Sequence, residues 1–123
     1  MRLLRVEDML TDPTPVPEPA RFHGEAFSSD IGATETSRTS AALIRLAPGS
    51  RGHWHHHRDG QLIHVVDGHG FIGRRDAEPL RLRAGDMVWI EPGEEHWHGA
   101  TEESHLAQVA MNFGPITWLE PSR

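Results

Sequence analysis

Turn signals divide this chain into short pieces. Pro48-Gly49, Asp67-Gly68, Ala84-Gly85-Asp86 and Pro92-Gly93 leave room between them for strands of a few residues and for no long helix. The intervening runs are apolar or β-branched: Ala41–Ala47, Leu62–Val66, Phe71–Arg74, Leu80–Arg83, Met87–Ile90 and His105–Met111. Leu80-Arg-Leu-Arg83 alternates as a half-buried strand does, and no stretch carries a sustained helical period. Strands recurring roughly every 8 to 12 residues between turn clusters predict an all-β sandwich or barrel.

The remaining segments are read as follows. Met1–Leu10 is short and apolar, an edge strand or a helical turn. Thr11–Pro19 has proline at every second position; proline fixes φ and lacks a donor, so the segment reads as an extended arm, either a linker or an arm laid over a neighbouring subunit. Arg21–Phe27 is a candidate strand and Ser28–Ser40 a loop. Asp67-Gly-His-Gly70 reads as a hairpin turn. The apolar tail Phe113–Leu119 packs back on the barrel or on a partner. The domain reading is an N-terminal segment over residues 1–20 and one β-barrel domain over residues 21–123.

Composition excludes several classes of function. At 123 residues the chain has the length of one domain. Its net charge of −6 and its scattered arginines lack the basic stripe of a nucleic-acid binder. No apolar run is long enough for a membrane helix, and the first residues lack a signal peptide's apolar core; the expected compartment is the cytoplasm. Cys, Lys and Tyr are absent, which removes disulfides, thiolate nucleophiles, Schiff bases and phenolic acids. Any acid–base chemistry falls to His or a carboxylate, and any electrophile is expected to be a metal.

The histidines point the same way. Nine of the ten lie between His53 and His105, and six of them fall in Gly49–Gln61 and Gly93–Gly99. Residues two apart on a strand share a face, so His55 and His57 project together, with His53 able to join them, while His56 points away. His96 follows a Pro-Gly turn and is available as a partner.

These two segments resemble the paired motifs of the cupins. Gly49, His55-x-His57, Gln61 and Gly68 keep the spacing of the first motif, with Gln61 in the position of a glutamate. A rival register of the motif from His53 puts Asp59 in that position but loses both flanking glycines. Gly85, Gly93 and His96 keep that of the second, with Glu91 in place of a proline and Ala100 in place of an asparagine. The resemblance covers Ala41 to Met111. It implies a single-domain jelly-roll β-barrel and a metal held by His55, His57, Gln61 and His96. Three imidazoles and an amide are neutral, so a divalent ion would keep its full charge and act as a stronger Lewis acid. The donor set suits Mn(II), Fe(II), Ni(II), Co(II) or Zn(II), and the resemblance points first to Mn(II).

A narrower similarity lies in Trp54–Gln61, Gly85–Trp89, Pro92–Ala100 and His105–Ala107, which resemble small bacterial manganese-dependent hydroxynitrile lyases. It implies a small-molecule substrate and catalytic roles for His98 and His105, which otherwise serve only as hydrogen-bonding neighbours of the ligands. It also implies a homodimer or higher homo-oligomer. Similar strings occur in cupins of other chemistry, so the resemblance admits four activities: a carbon–carbon lyase, a metal-dependent dioxygenase, a polyketide cyclase or isomerase, and a non-catalytic small-molecule binder.

Overall fold

The computed structural model describes residues 1–17 and 21–123. One short helix, α1 (Val6–Thr11), precedes twelve strands: β1 (Thr14–Pro15), β2 (Phe22–His23), β3 (Ala26–Ala33), β4 (Thr39–Leu46), β5 (Arg51–Gly52), β6 (His55–His57), β7 (Gln61–Arg74), β8 (Ala77–Arg83), β9 (Met87–Ile90), β10 (His96–Ala100), β11 (Leu106–Phe113) and β12 (Ile116–Trp118). All pairings are antiparallel. The sheet runs β1-β3-β4-β11-β7-β10-β5-β2 and curls on itself, as the all-β barrel reading requires.

Strand β7 joins the two walls. Its first half, from Gln61, pairs with β11 and β9, and its second half, to Arg74, pairs with β10 and β8. In the first half Gln61, Ile63 and Val65 are buried; in the second, Gly70 and Ile72 are. That change from odd to even positions is a one-residue slip, which would normally turn every side chain to the opposite face. A bulge where the β11 register shifts at Ala107/Gln108 absorbs it, next to Gly68 at φ +81°.

The hairpin expected at Asp67–Gly70 is therefore not formed. The glycines there bend one continuous 14-residue strand from one wall into the other. Two other expectations are corrected. The polar segment predicted as a loop, Ser28–Ser40, carries most of β3 and the start of β4. The Arg21–Phe27 strand is divided between β2 and β3. Pro79 sits within β8, which among the described residues pairs with β7 alone, so the missing donor falls on an edge of the sheet.

Leu46, Ile63, Val65, Ile72, Leu82, Ile90 and Leu106 form the core between the walls, each at most 5% exposed. Burying a side chain of this kind stabilises the fold by about 1.5–3 kcal/mol. The proline arm lies on its own barrel: Thr14 and Pro15 pair with Ser28 and Phe27, and Val16 donates its N–H to Ala26 O at 2.8 Å. Its last proline, Pro19, lies outside the described residues. The tail forms β12 against β6, with Trp118 opposite His55 and Ile116 opposite His57.

Candidate metal centre

Three strands bring the histidines together. β6 carries His55 and His57 on one face, both 3% exposed, and β10 carries His96 and His98, at 1% and 6%. His96 pairs directly with His55 across the two strands. Gln61, 3% exposed, enters the same space as the first residue of β7. The carbonyl of His57 accepts from Gly60 N at 3.2 Å and from Gly93 N at 2.9 Å, which ties the turn before Gln61 and the turn before His96 to one point.

Hydrogen bonds settle which nitrogen His55 and His96 present. A backbone carbonyl can only accept, so His55 Nδ1 donates to His53 O at 2.9 Å and His96 Nδ1 donates to Glu94 O at 2.8 Å. Each ring therefore turns its Nε2 lone pair inward. This is the outer-sphere arrangement that aims an imidazole at a metal. One ring nitrogen from each of His55, His96 and His98 lies within 4.8 Å of the other two, a grouping able to hold a metal ion. His57 stands beside them, its ring centre 5.4 Å from that of His55 and 5.9 Å from that of His96. Neither nitrogen of His57 or of His98 meets a hydrogen-bond partner among the described residues.

Burial keeps this cluster neutral. Loss of solvent is the first cause in each case, and neighbouring imidazoles add to it. His55 and His98 are pushed well below the ordinary histidine value, and His57 falls to about 4. His96 is lowered less, because its bond to the Glu94 carbonyl favours the charged form. Two neutral imidazoles with inward lone pairs, two more whose nitrogens are unbonded among the described residues, and one amide oxygen suit a divalent ion of borderline character.

The cavity lined by His55, His57, Gln61 and His98 has a volume of about 470 Å³. Ala42, Ile44, Leu46, Ala110, Phe22 and Trp118 give it apolar walls, and the arm residues Thr14–Pro17 close part of it. Trp118 stacks on His55 with ring centres 4.7 Å apart. Gln108 also lines the cavity; it is 1% exposed and its Oε1 has no partner among the described residues.

The positions predicted from sequence thus separate. His55, His57, Gln61, His96 and His98 converge. His105 does not: its Nε2 is 2.9 Å from Asp67 Oδ2, its Nδ1 accepts from Arg45 Nε at 3.1 Å, and it does not line the cavity. Its position explains this. Leu106, Gln108, Ala110 and Asn112 share the inward face of β11, so His105 falls on the outward one. That alternation was the signal for Gln108, which the sequence reading missed. His53 contributes its carbonyl, and Asp59 pairs with Arg58 at the surface, so the alternative register is not built.

A cupin domain model matches residues 42–111, more than half of the chain and both histidine segments. The chain belongs to the cupin family. An (R)-mandelonitrile lyase from Granulicella tundricola is 36% identical over 92 residues, covering 72% of this chain and 70% of that protein. A cupin-like protein from Thermotoga maritima superposes with a TM-score of 0.85 at 29% identity, over 91% of this chain and 89% of that one. An acetylacetone dioxygenase from Acinetobacter johnsonii shares the fold alone, with a TM-score of 0.79 at 15% identity, over 98% of this cupin and 78% of that chain.

Proposed function

We propose that this cupin is a metal-dependent carbon–carbon lyase of the hydroxynitrile lyase type. Its substrate would be a small aryl α-hydroxynitrile, and Mn(II) its ion. The observation that carries the reading is His98: a neutral, buried imidazole with both nitrogens unpartnered, beside the inward lone pairs of His55 and His96 in an apolar cavity. The 36% identity to an (R)-mandelonitrile lyase supports the reaction class.

His55, His57, Gln61 and His96 would hold the ion, leaving His98 for proton transfer. Ring orientation supports His55 and His96 as ligands, and the assignment of His57 rather than His98 as the third follows the cupin motif spacing. His55 and His96 are held by backbone carbonyls as ligands are, whereas His57 and His98 have no such partner among the described residues. A bound divalent ion supplies Lewis acidity that favours the alkoxide form of a hydroxyl in the cavity.

The chain's own groups do the rest. His98 accepts the hydroxyl proton as the oxygen's electron pair forms the carbonyl and the carbon–cyanide bond breaks. Cyanide leaves with that bond's electron pair and takes the proton back from His98, giving hydrogen cyanide and an aldehyde. A positioned base of this kind contributes about 10²- to 10⁴-fold. Ala42, Ile44 and Trp118 offer apolar surface to an aryl group and exclude water, and the Gln108 amide is available to a polar substituent.

The test is mandelonitrile cleavage by metal-stripped protein, with and without added Mn(II), with dissolved oxygen followed in parallel. Cleavage restored by Mn(II) without oxygen uptake is the expected result; metal-dependent oxygen consumption would replace the lyase reading with an oxygenase.

A further inference from the structure

Gln61 differs from the histidine ligand candidates in one chemical respect. An imidazole turned about its axis still presents nitrogen, but an amide presents either an oxygen that binds a cation or an NH₂ that does not. Turned the wrong way, Gln61 would donate to the His96 lone pair, and the two groups would satisfy each other without an ion.

A row of three side chains gives the oxygen-inward state its partners. Gln61 Nε2 donates to Asn112 Oδ1 at 2.7 Å, and Asn112 Nδ2 donates to Ser40 Oγ at 3.2 Å. The row is set by strand register, since Asn112 of β11 lies opposite Gln61 of β7 on one side and opposite Ser40 of β4 on the other. All three residues line the cavity.

We infer that Asn112, supported by Ser40, is a positioning residue that gives the Gln61 NH₂ a partner and so keeps the Gln61 carbonyl oxygen turned toward the ion. This rests on the reading of Gln61 as a ligand. Without the Asn112 carbonyl, the oxygen-inward state leaves a buried NH₂ unpaired, which is the costly case for a polar group. The reversed state, paired with His96, then competes with metal. Asn112→Asp has the opposite effect, because a carboxylate accepts from Gln61 Nε2 but cannot donate to a reversed Gln61.

Co(II) is the probe, read by chelator competition and by its visible absorption, neither of which depends on turnover. Asn112→Leu is expected to bind Co(II) about 10- to 100-fold more weakly, the usual cost of removing a group that orients a ligand, with the spectral change of a lost ligand. Asn112→Asp is expected to bind at least as tightly as the parent. In a Gln61→Ala background, Asn112→Leu is expected to add no further loss. Parent-like affinity and spectrum in Asn112→Leu overturn the inference, as does a loss that persists without Gln61. If the parent protein itself binds no Co(II), the metal reading falls and the inference with it.

Discussion

His96 Nε2 and Gln61 Oε1 face each other at 2.9 Å with no hydrogen between them. The His96 proton is committed to Glu94 O through Nδ1, and the Gln61 NH₂ is committed to Asn112. The ring is neutral because burial lowers its pKa, so two acceptors meet in a buried space. A cation between them removes the conflict.

Loss of metal should destabilise the fold in a pH-dependent way. In metal-free protein the pKa of His57 is lowered from 6.5 to about 4, so the folded state binds fewer protons than the unfolded state in that interval. The favourable contribution is present above about pH 6.5 and is lost as pH falls toward 4. For His57 alone the change is roughly 3 kcal/mol at 1.36 kcal/mol per unit. Denaturant unfolding of chelator-treated protein across this range should show stability falling with acidity; a flat profile would mean that the site is open to water.

His57 and His98 are both unpartnered, and substitution separates their roles. His57→Ala should lose most bound metal. His98→Ala should keep its metal and lose about 10²-fold or more in turnover. Metal content by elemental analysis beside the cleavage rate distinguishes them. The reverse pattern would make His98 the ligand, in keeping with its grouping with His55 and His96.

His105→Ala should leave cleavage within about twofold of the parent. The side chain is bonded to Asp67 and Arg45, and exposed pairs of this kind contribute about 0–1 kcal/mol. A large loss of turnover with metal and fold intact would return His105 to the mechanism.

Gln108→Leu removes a buried acceptor that has no partner among the described residues. Its stability should be equal to or above the parent's, because an unsatisfied buried polar group costs about 1–3 kcal/mol. Its KM for mandelonitrile should change more than its kcat if the amide only holds the substrate. A stability loss would show that Gln108 is already bonded within the fold.

Gly73→Ala should be among the most damaging substitutions in β7. A Cβ there would overlap the Trp97 indole, whose ring is already stacked beneath Arg51 at 3.6 Å. Thermal melting should drop by several degrees.

Much of the barrel was legible because alternation and turn chemistry are local. His55, His57, Gln61 and His96 could be singled out because their spacing and flanking glycines resemble a known double motif. What failed was non-local. Asp67-Gly-His-Gly70 has hairpin composition, yet pairing with β11 on one side and β10 on the other carries the chain straight on. The structure places His105, singled out by its neighbours in sequence, on the outward face at the start of β11, and its implied catalytic role is what the His105→Ala measurement decides. Gln108 and Asn112 carry no motif; alternation puts them on one face of β11, and the pairing of β11 with β7 and β4 turns that face to the site.

The central claim is a neutral metal site, and equilibrium binding of Mn(II) to the parent and to His96→Ala tests it most directly. One ion per chain in the parent, with binding lost in the variant, is the predicted result. Equal binding by both proteins, or none by the parent, would contradict it.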